Sequence, residues 1–271
     1  NEQNVEAIYK ATYMNAEIYN ITGQKDSAHY YVDQSIAKSK NGNDQEHYIN
    51  SLHLKGKIYY KSNAYNKAIS MYTKVHQLID KDNIIELSTI ANSIALIKNQ
   101  IGHRKQALEL IKQNVDFYDS GILDKNVYPT TYLNTLLNIS NIYTNLAEDF
   151  LKHKTQYLDS AEMHNLKGLK LSHKVKDLDI HSMFVTLQAI ILQKRGNYEE
   201  ALVNFKKAEK QINDLKLTNQ LSILYLYKGK NYFLQNDIKN AISYLLKADS
   251  IITINKIDSP FIQETYILLA K

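Results

Sequence analysis

The sequence predicts an all-α fold, a right-handed superhelical solenoid of antiparallel helix pairs with about six repeats and a partial seventh. Three observations predict it. A small residue (Gly, Ala or Ser) recurs roughly every forty residues, followed in most copies by an aromatic, then by a Gly/Asn turn and a second Ala. Each interval divides into two amphipathic stripes with three-to-four spacing, the mark of a helix buried along one side. Only two prolines and eight glycines interrupt a chain that is 44% hydrophobic, so long helices have room to form. Units of this kind bury their apolar faces only by stacking on neighbours, and such stacks bind more often than they catalyse.

The repeats span approximately 2–40, 44–80, 82–119, 127–176, 178–215 and 217–255, with a partial copy at 259–271. The first reads Ala16-x-x-Tyr19-x-x-x-Gly23-x-x-x-x-Ala28. Later copies place Gly56, Tyr59, Asn63 and Ala68; Ala95, Gly102 and Ala107; Ser140, Tyr143 and Ala161; Ala189, Gly196 and Ala201; and Gly229, Tyr232, Asn236 and Ala241. In the fifth unit Met183, Leu187, Ile190 and Ile191 form the stripe of a first helix, A. Arg195-Gly196-Asn197 breaks it, since glycine tolerates the backbone of a sharp turn. Leu202, Phe205 and Ala208 carry the stripe of the second helix, B. Ala189 and Ala201 are expected where the two helices cross closely.

Gly196-Asn197-Tyr198-Glu199-Glu200-Ala201-x-x-x-Phe205-x-x-Ala208 resembles the core of a tetratricopeptide repeat (TPR), a helix–turn–helix unit of 34 residues. Asn63 to Ala68 with Tyr72, and Asn236 to Ala241 with Leu245 and Ala248, resemble it equally. The resemblance covers essentially the whole chain. Departures are plain: the small residues at 16, 56, 95, 140, 189 and 229 lie 40, 39, 45, 49 and 40 apart, and no Trp opens any A helix. Long, Tyr- and Asn-rich units look most like the TPR regions of bacterial sensory and transcriptional regulators.

Two irregular stretches stand out. Residues 119–129 form the longest non-helical run, read either as a hinge or as an ordinary longer loop, with Pro129 suited to the first turn of the next helix. Ser140 to Ala161 spans 21 residues where other units take 12, which predicts longer helices whose tips protrude, or a neutral insertion. Near the end, Ser259 reads as an N-cap with Pro260 at the first helical position.

Chemistry finds little support. The absence of cysteine excludes disulfides and thiolate chemistry. Nine histidines show no i, i+4 pair and no metalloprotease pattern; His164, His173 and His181 fall on different faces or helices and read as structural or solvent-exposed. Glu148-Asp149 and Glu199-Glu200 are neighbours in sequence and point about 100° apart on a helix, so neither pair can flank one reacting atom. The chain is therefore expected to be no enzyme, with no cofactor and no metal. A net charge of +5 with lysines scattered among acids predicts a mixed solvated surface and no direct nucleic-acid contact. No apolar run is long enough to span a bilayer. The first residue is Asn, inside a helical pattern, and the last lies inside another, so the sequence reads as cut at both ends. The periplasmic side is expected over the cytoplasm.

Tyrosine is abundant, with 21 residues against six Phe and no Trp. Seven occupy repeat positions (Tyr19, Tyr59, Tyr65, Tyr72, Tyr143, Tyr198, Tyr232), and pairs such as Tyr30-Tyr31 put one ring inward and one outward.

The TPR resemblance implies a concave face lined by A helices. Transferring its positions gives His53, Lys57 and Tyr60, then Thr89, Asn92, Asn99 and Gln100. Asn134, Asn141 and Asn145 follow, and then Thr186, Gln193, Lys194 and Lys230. Of these Asn92, Asn99, Asn134, Asn141, Asn145, Lys57, Lys194 and Lys230 are the candidate peptide-binding residues. An Asn amide both donates and accepts, so it can pair with an extended peptide backbone; the alternative is a row of solvated polar residues. The family's carboxylate clamp is not reproduced, since Tyr13 and Glu17 stand where its Lys and Asn are expected. The function expected is peptide or protein binding within a larger bacterial regulator. A stand-alone scaffold or lipoprotein adaptor, or a carbohydrate-binding accessory protein, are the alternatives.

Overall fold

A computed structural model describes residues 2–42, 44–254 and 261–270, and all regular structure in them is helical. The helices alternate A and B: α1 (Glu2–Ile21) and α2 (Lys25–Asn41), α3 (Gln45–Lys61) and α4 (Tyr65–Leu78), α5 (Ile84–Gln100) and α6 (Arg104–Asp119). They continue as α7 (Pro129–Asp149) and α8 (Lys154–Lys174), α9 (Leu178–Arg195) and α10 (Tyr198–Asp214), α11 (Thr218–Leu234) and α12 (Ile238–Ile254), and end with α13 (Phe261–Leu269). The chain groups into two compact units, Asn1–Ile101 with α1–α5 and Gly102–Lys271 with α6–α13. Ser259 and Pro260, where a helix start is expected, lie outside the described residues.

The A-to-B turn follows one backbone recipe. Gly23, Asn63, Gly102, Gly196 and Asn236 all have positive φ, between 55° and 92°. Around them an amide reaches back five residues to the end of the A helix: Gln24 to Tyr19, Ala64 to Tyr59, Asn197 to Leu192 and Asp237 to Tyr232, at 2.9–3.0 Å. This is the Schellman closure, which satisfies carbonyls that a helix end leaves open. At the start of α2, α4, α6, α10 and α12 the signature alanine donates four residues back, Ala28 to Gln24, Ala68 to Ala64, Ala107 to His103, Ala201 to Asn197 and Ala241 to Asp237. Three A helices are also capped at their N-termini by side chains. Asp44 accepts from the His47 amide at 3.0 Å, Asn83 from Glu86 and Asp177 from Ile180, each at 3.3 Å.

The signature small residues sit where helices cross. Ala16, Ala28, Ala68, Ala95, Ala107, Ala161, Ala189 and Ala201 are fully buried. At Gly56 a Cβ would lie 2.6 Å from the Tyr72 ring, and at Gly229 2.9 Å from Leu245, so only glycine admits these B-helix side chains. Ser140 is equally buried and its hydroxyl donates to the Ala161 carbonyl at 2.9 Å, which ties the two small positions of that repeat together.

A helices of successive repeats touch: α1 meets α3 in the first unit, and α7, α9, α11 and α13 meet in sequence in the second. Among the described residues no two B helices pack together. Within each unit the A helices therefore line the tighter, inner side. α9, flanked by α8, α10 and its two A neighbours, is buried nearly all round, and of the stripe read from its sequence only Met183 is exposed.

The long interval from Ser140 to Ala161 is built as two 21-residue helices, α7 and α8, joined by a single 3-10 turn at Leu151–His153. An aromatic ladder joins the two helices: Phe150 and Tyr157 at 6.2 Å, Tyr157 and Tyr143 at 6.1 Å, Tyr143 and His164 stacked at 6.0 Å. Loop 120–128 lies inside the second unit, away from the division between units. Leu123 is buried and donates to the Phe117 carbonyl at 2.9 Å, Tyr118 and Tyr132 bring their rings to 4.4 Å across it, and Pro129 opens α7.

Candidate functional site

The inner side of the second unit starts from α7, where Asn134, Asn138, Asn141, Asn145 and Glu148 recur at steps of four, three, four and three. That spacing places them on one helical face. Asn134 is exposed, and Asn141 and Asn145 are partly so. At the C-terminal end of this face Glu148 forms an ion pair with Lys194 of α9. Further along, Lys230 of α11 pairs with Glu264 of α13 at 2.7 Å and lies 5.8 Å from the Tyr227 ring centre. Beside Glu148, Asp149 pairs with Arg104 at the start of α6.

Burial differs sharply between the partners. The Lys194 side chain is 8% exposed and that of Glu148 48%. Burial lowers the Lys194 ammonium below its ordinary range despite the Glu148 carboxylate beside it, with Lys230 pushing in the same direction. For Glu148 burial acts to raise the carboxyl, but Lys194, Lys230 and Arg104 together bring it below the usual carboxylate value. Tyr227 is held far above the ordinary phenol range by burial and by Glu264 and Glu148. The face thus offers a row of carboxamides leading to paired charges of both signs in a partly dehydrated setting, where electrostatic contacts are stronger than in bulk water.

The first unit carries its own inner side. His53, Lys57 and Tyr60 share a face of α3, with Lys57 exposed. Burial, with Lys57 adding to it, holds the His53 imidazole down to about 4, and burial raises Tyr60 to about 12. Asn92 and Asn99 of α5 are buried. Tyr13 donates to Glu17 at 3.4 Å, so the two residues at the expected clamp positions face each other.

Of the eight candidates, Asn134, Asn141, Asn145, Lys194 and Lys230 fall in the second unit and Lys57, Asn92 and Asn99 in the first. Gln193, also drawn from the groove positions, is buried and donates to the Tyr227 carbonyl and to Asn231, so it joins α9 to α11. Thr186 is buried too and donates to its own helix at Ser182.

Sequence reading missed three features. Lys228 of α11 is fully buried, 2.5 Å from Glu209 of α10 and 4.3 Å from the Tyr244 ring centre. Gly168 of α8 accommodates the Phe184 ring, which a Cβ would approach to 2.2 Å. His173 and His181, expected on different faces or helices, come together across the α8–α9 turn with ring centres 5.9 Å apart. There the Ser172 hydroxyl lies 2.9 Å from His181 Nδ1. The short turn folds the end of one helix back onto the start of the next, a proximity that helical-wheel spacing cannot register. Asp44 followed by a helical pattern was a readable cap signal; a buried lysine had none.

No protein-family model matches the chain, and no curated protein matches it. Solved structures do. Aspartyl phosphate phosphatase F from Bacillus subtilis superposes with a TM-score of 0.71 and 20% identity over 91% of this chain and 60% of that one. The apo form of RapI gives 0.67 and 12%, covering 91% and 85%. A Rap protein complexed with Competence and Sporulation Factor gives 0.64 and 12%, covering 95% and 79%. The chain thus spans 60% of the length of the Bacillus phosphatase. At these identities the likeness establishes the fold: this is a TPR-like helical repeat protein.

Proposed function

We propose that the chain is a non-enzymatic binding module that takes an extended peptide or protein segment along the inner face of its A helices, as part of a larger bacterial regulator. The observation that carries this is the face of α7, whose carboxamides run in line toward the Glu148–Lys194 pair. A β-like peptide backbone presents donors and acceptors to such a row, and charged peptide groups meet Glu148 and Lys194 at its end. One structural neighbour was solved with Competence and Sporulation Factor bound, which supports the same use of the fold. The buried histidines further support binding over catalysis: His164 stacks on Tyr143 and His181 bonds Ser172.

The test is selection of a randomised peptide library on the immobilised protein, followed by titration calorimetry. Selected peptides are expected to lose about tenfold or more in affinity with Asn141→Ala/Asn145→Ala, in line with two lost hydrogen bonds. Failure to select any peptide, or affinities unmoved by that variant, would overturn the assignment. The regulator context and a periplasmic location are tested by reading the coding region on either side of residues 1–271. A signal peptide upstream and an output domain downstream are the expected result.

A further inference from the structure

In two B-to-A turns lysine stands where the A-to-B turns use glycine or asparagine. Lys176 and Lys216 have φ of 58° and 57°, a left-handed backbone that long side chains adopt only at a cost. Both turns close alike, the Asp177 amide donating to the Ser172 carbonyl and the Leu217 amide to the Ile212 carbonyl, each at 3.0 Å. In the sequence Lys176, Lys216 and Lys256 recur at intervals of forty residues, the last outside the described residues. The two described turns stand side by side, because Gln220 near the start of α11 bonds Ser182 at 2.8 Å and also Asp179 at the start of α9. Around these lysines the surface is both apolar and basic. Val175, Leu178 and Leu215 are exposed to 38%, 51% and 36%. Lys170, Lys174 and Lys210 are exposed toward the ends of α8 and α10, and among the described residues no ion pair engages them or the two turn lysines. The carboxylates of this edge are Asp177, which accepts from the Ile180 amide, Asp179, which accepts from Gln220, and Asp214 at the end of α10. The field there is positive: after burial, the charges that depress the His181 imidazole are Lys207 and His173.

We propose that this edge rests on an anionic phospholipid surface, with Val175, Leu178 and Leu215 in the headgroup layer and the lysines on lipid phosphates. The order of the side chains selects a membrane over a folded acidic partner. Apolar groups stand at two neighbouring turns and lysines flank them on longer stems, the layering of a surface that lies in a bilayer interface. A fluid headgroup layer accepts projecting tips without a matching pocket. It asks only that they share one edge, which the stacking of repeats provides. The cations are lysines, point charges on flexible stems that suit mobile phosphates, with none of the planar forks that fix a carboxylate in one geometry. The strained backbone fits the same role, since asparagine at Lys176 and Lys216 would relax the turns but remove their charge.

Sedimentation of the full chain with phosphatidylcholine vesicles, with and without about 30% phosphatidylglycerol, tests the proposal. Partition to the anionic vesicles is expected, falling steeply as salt is raised, with none to phosphatidylcholine alone. Lys176→Asn/Lys216→Asn is expected to weaken it about thirtyfold, the effect of two lysines at an anionic surface, without loss of stability because asparagine tolerates the turn. Lys81→Asn/Lys125→Asn makes the same charge change at exposed positions elsewhere and is expected to leave partition within about twofold. Because the chain has no tryptophan, Leu178→Trp supplies a single reporter whose emission is expected to shift to the blue on anionic vesicles. A chain that stays in the supernatant at low salt, equal losses in the two lysine pairs, or binding without the blue shift would each overturn the assignment. Polyglutamate bound as tightly as the vesicles, and unmoved by Val175→Ser/Leu215→Ser, would overturn it in favour of an acidic protein. None of these outcomes bears on peptide binding at α7, since no residue of this edge belongs to that face.

Discussion

The two units fill the same helix-pair frame with different materials. In the first unit the seams between helices are polar and aromatic: Ser35 to Ser51, Tyr9 to Asp44 at 2.5 Å, His53 edge-on to Tyr72, Tyr19 stacked on Tyr31. The second has polar and aromatic seams too, such as Tyr143 stacked on His164 and Ser140 bonded to Ala161, and adds contacts of bulk and of buried charge: Phe184 pressed into Gly168, and Lys228 sealed with Glu209. Polar seams accommodate small displacements by re-forming hydrogen bonds. A rigid ring against bare backbone cannot, because interiors at crystal-like density have no space to yield. The difference teaches that a glycine in this fold is not one kind of position; its cost of change depends on what lies over it.

The largest expected effect follows from that contrast. Gly168→Ala drives a methyl to 2.2 Å from the Phe184 ring and is expected to cost about 3 kcal/mol. Gly56→Ala meets the Tyr72 ring at 2.6 Å and is expected to cost about half as much, since that ring has a partly exposed neighbour, His53, to move against. Urea unfolding of both variants measures the gap, and equal losses would remove the distinction between units. Adding Phe184→Leu to Gly168→Ala is expected to recover part of the loss.

Next comes the buried ion pair. Glu209→Gln leaves the Lys228 ammonium buried with weakened compensation, and a loss of about 2 to 3 kcal/mol is expected. The double variant Lys228→Met/Glu209→Leu is expected to restore most of it, which thermal melts can check. If Glu209→Gln is silent, the lysine is reaching water and the seam is not sealed.

Acid should weaken both units, the second more cleanly. Burial holds His164 and His53 to about 4, against 6.5 for the free imidazole. Both are neutral in the fold, so the unfolded chain binds more protons between these values. Their stabilisation is complete above pH 6.5 and is lost as pH falls toward 4, amounting to about 2 to 3 kcal/mol for His164. His164→Phe, which keeps a ring beside Tyr143, is expected to flatten the pH dependence of unfolding. An unchanged slope would assign the acid sensitivity elsewhere.

The smallest effect is expected at Ser140. Ser140→Ala removes its bond to the Ala161 carbonyl but keeps the small side chain that the crossing needs, for a loss of about 1 kcal/mol. A larger loss would mean that the hydroxyl, rather than its size, closes that repeat.

These particulars show what the sequence could and could not convey. Gly23, Asn63, Gly196 and Asn236 were legible as turns because Gly and Asn favour positive φ, whereas the same left-handed backbone at Lys176 and Lys216 carried no such signal. The alanines at the crossings were legible because their spacing repeats. Gly168 was not, since it packs across the boundary between two repeats, outside the interval that the period marks. Lys228 reads as surface in any hydropathy pattern, and only its fixed neighbours Glu209 and Tyr244 make burial tolerable. At the candidate face the residue types on α7 and the lysines on α9 and α11 were readable from helix spacing. Their carboxylate partners Glu148 and Glu264 were not, because pairing between repeats depends on how far each A helix is advanced past the next.

The five-residue backbone closure at the A-to-B turns has a consequence for the history of such a chain. It is made of amides and carbonyls that every residue but proline possesses, so it asks almost nothing of side chains beyond one residue tolerant of a left-handed backbone. Substitutions can accumulate over most of each helix without disturbing the joints. Ancestry in a molecule of this design is therefore erased from the letters long before it fades from the path of the chain.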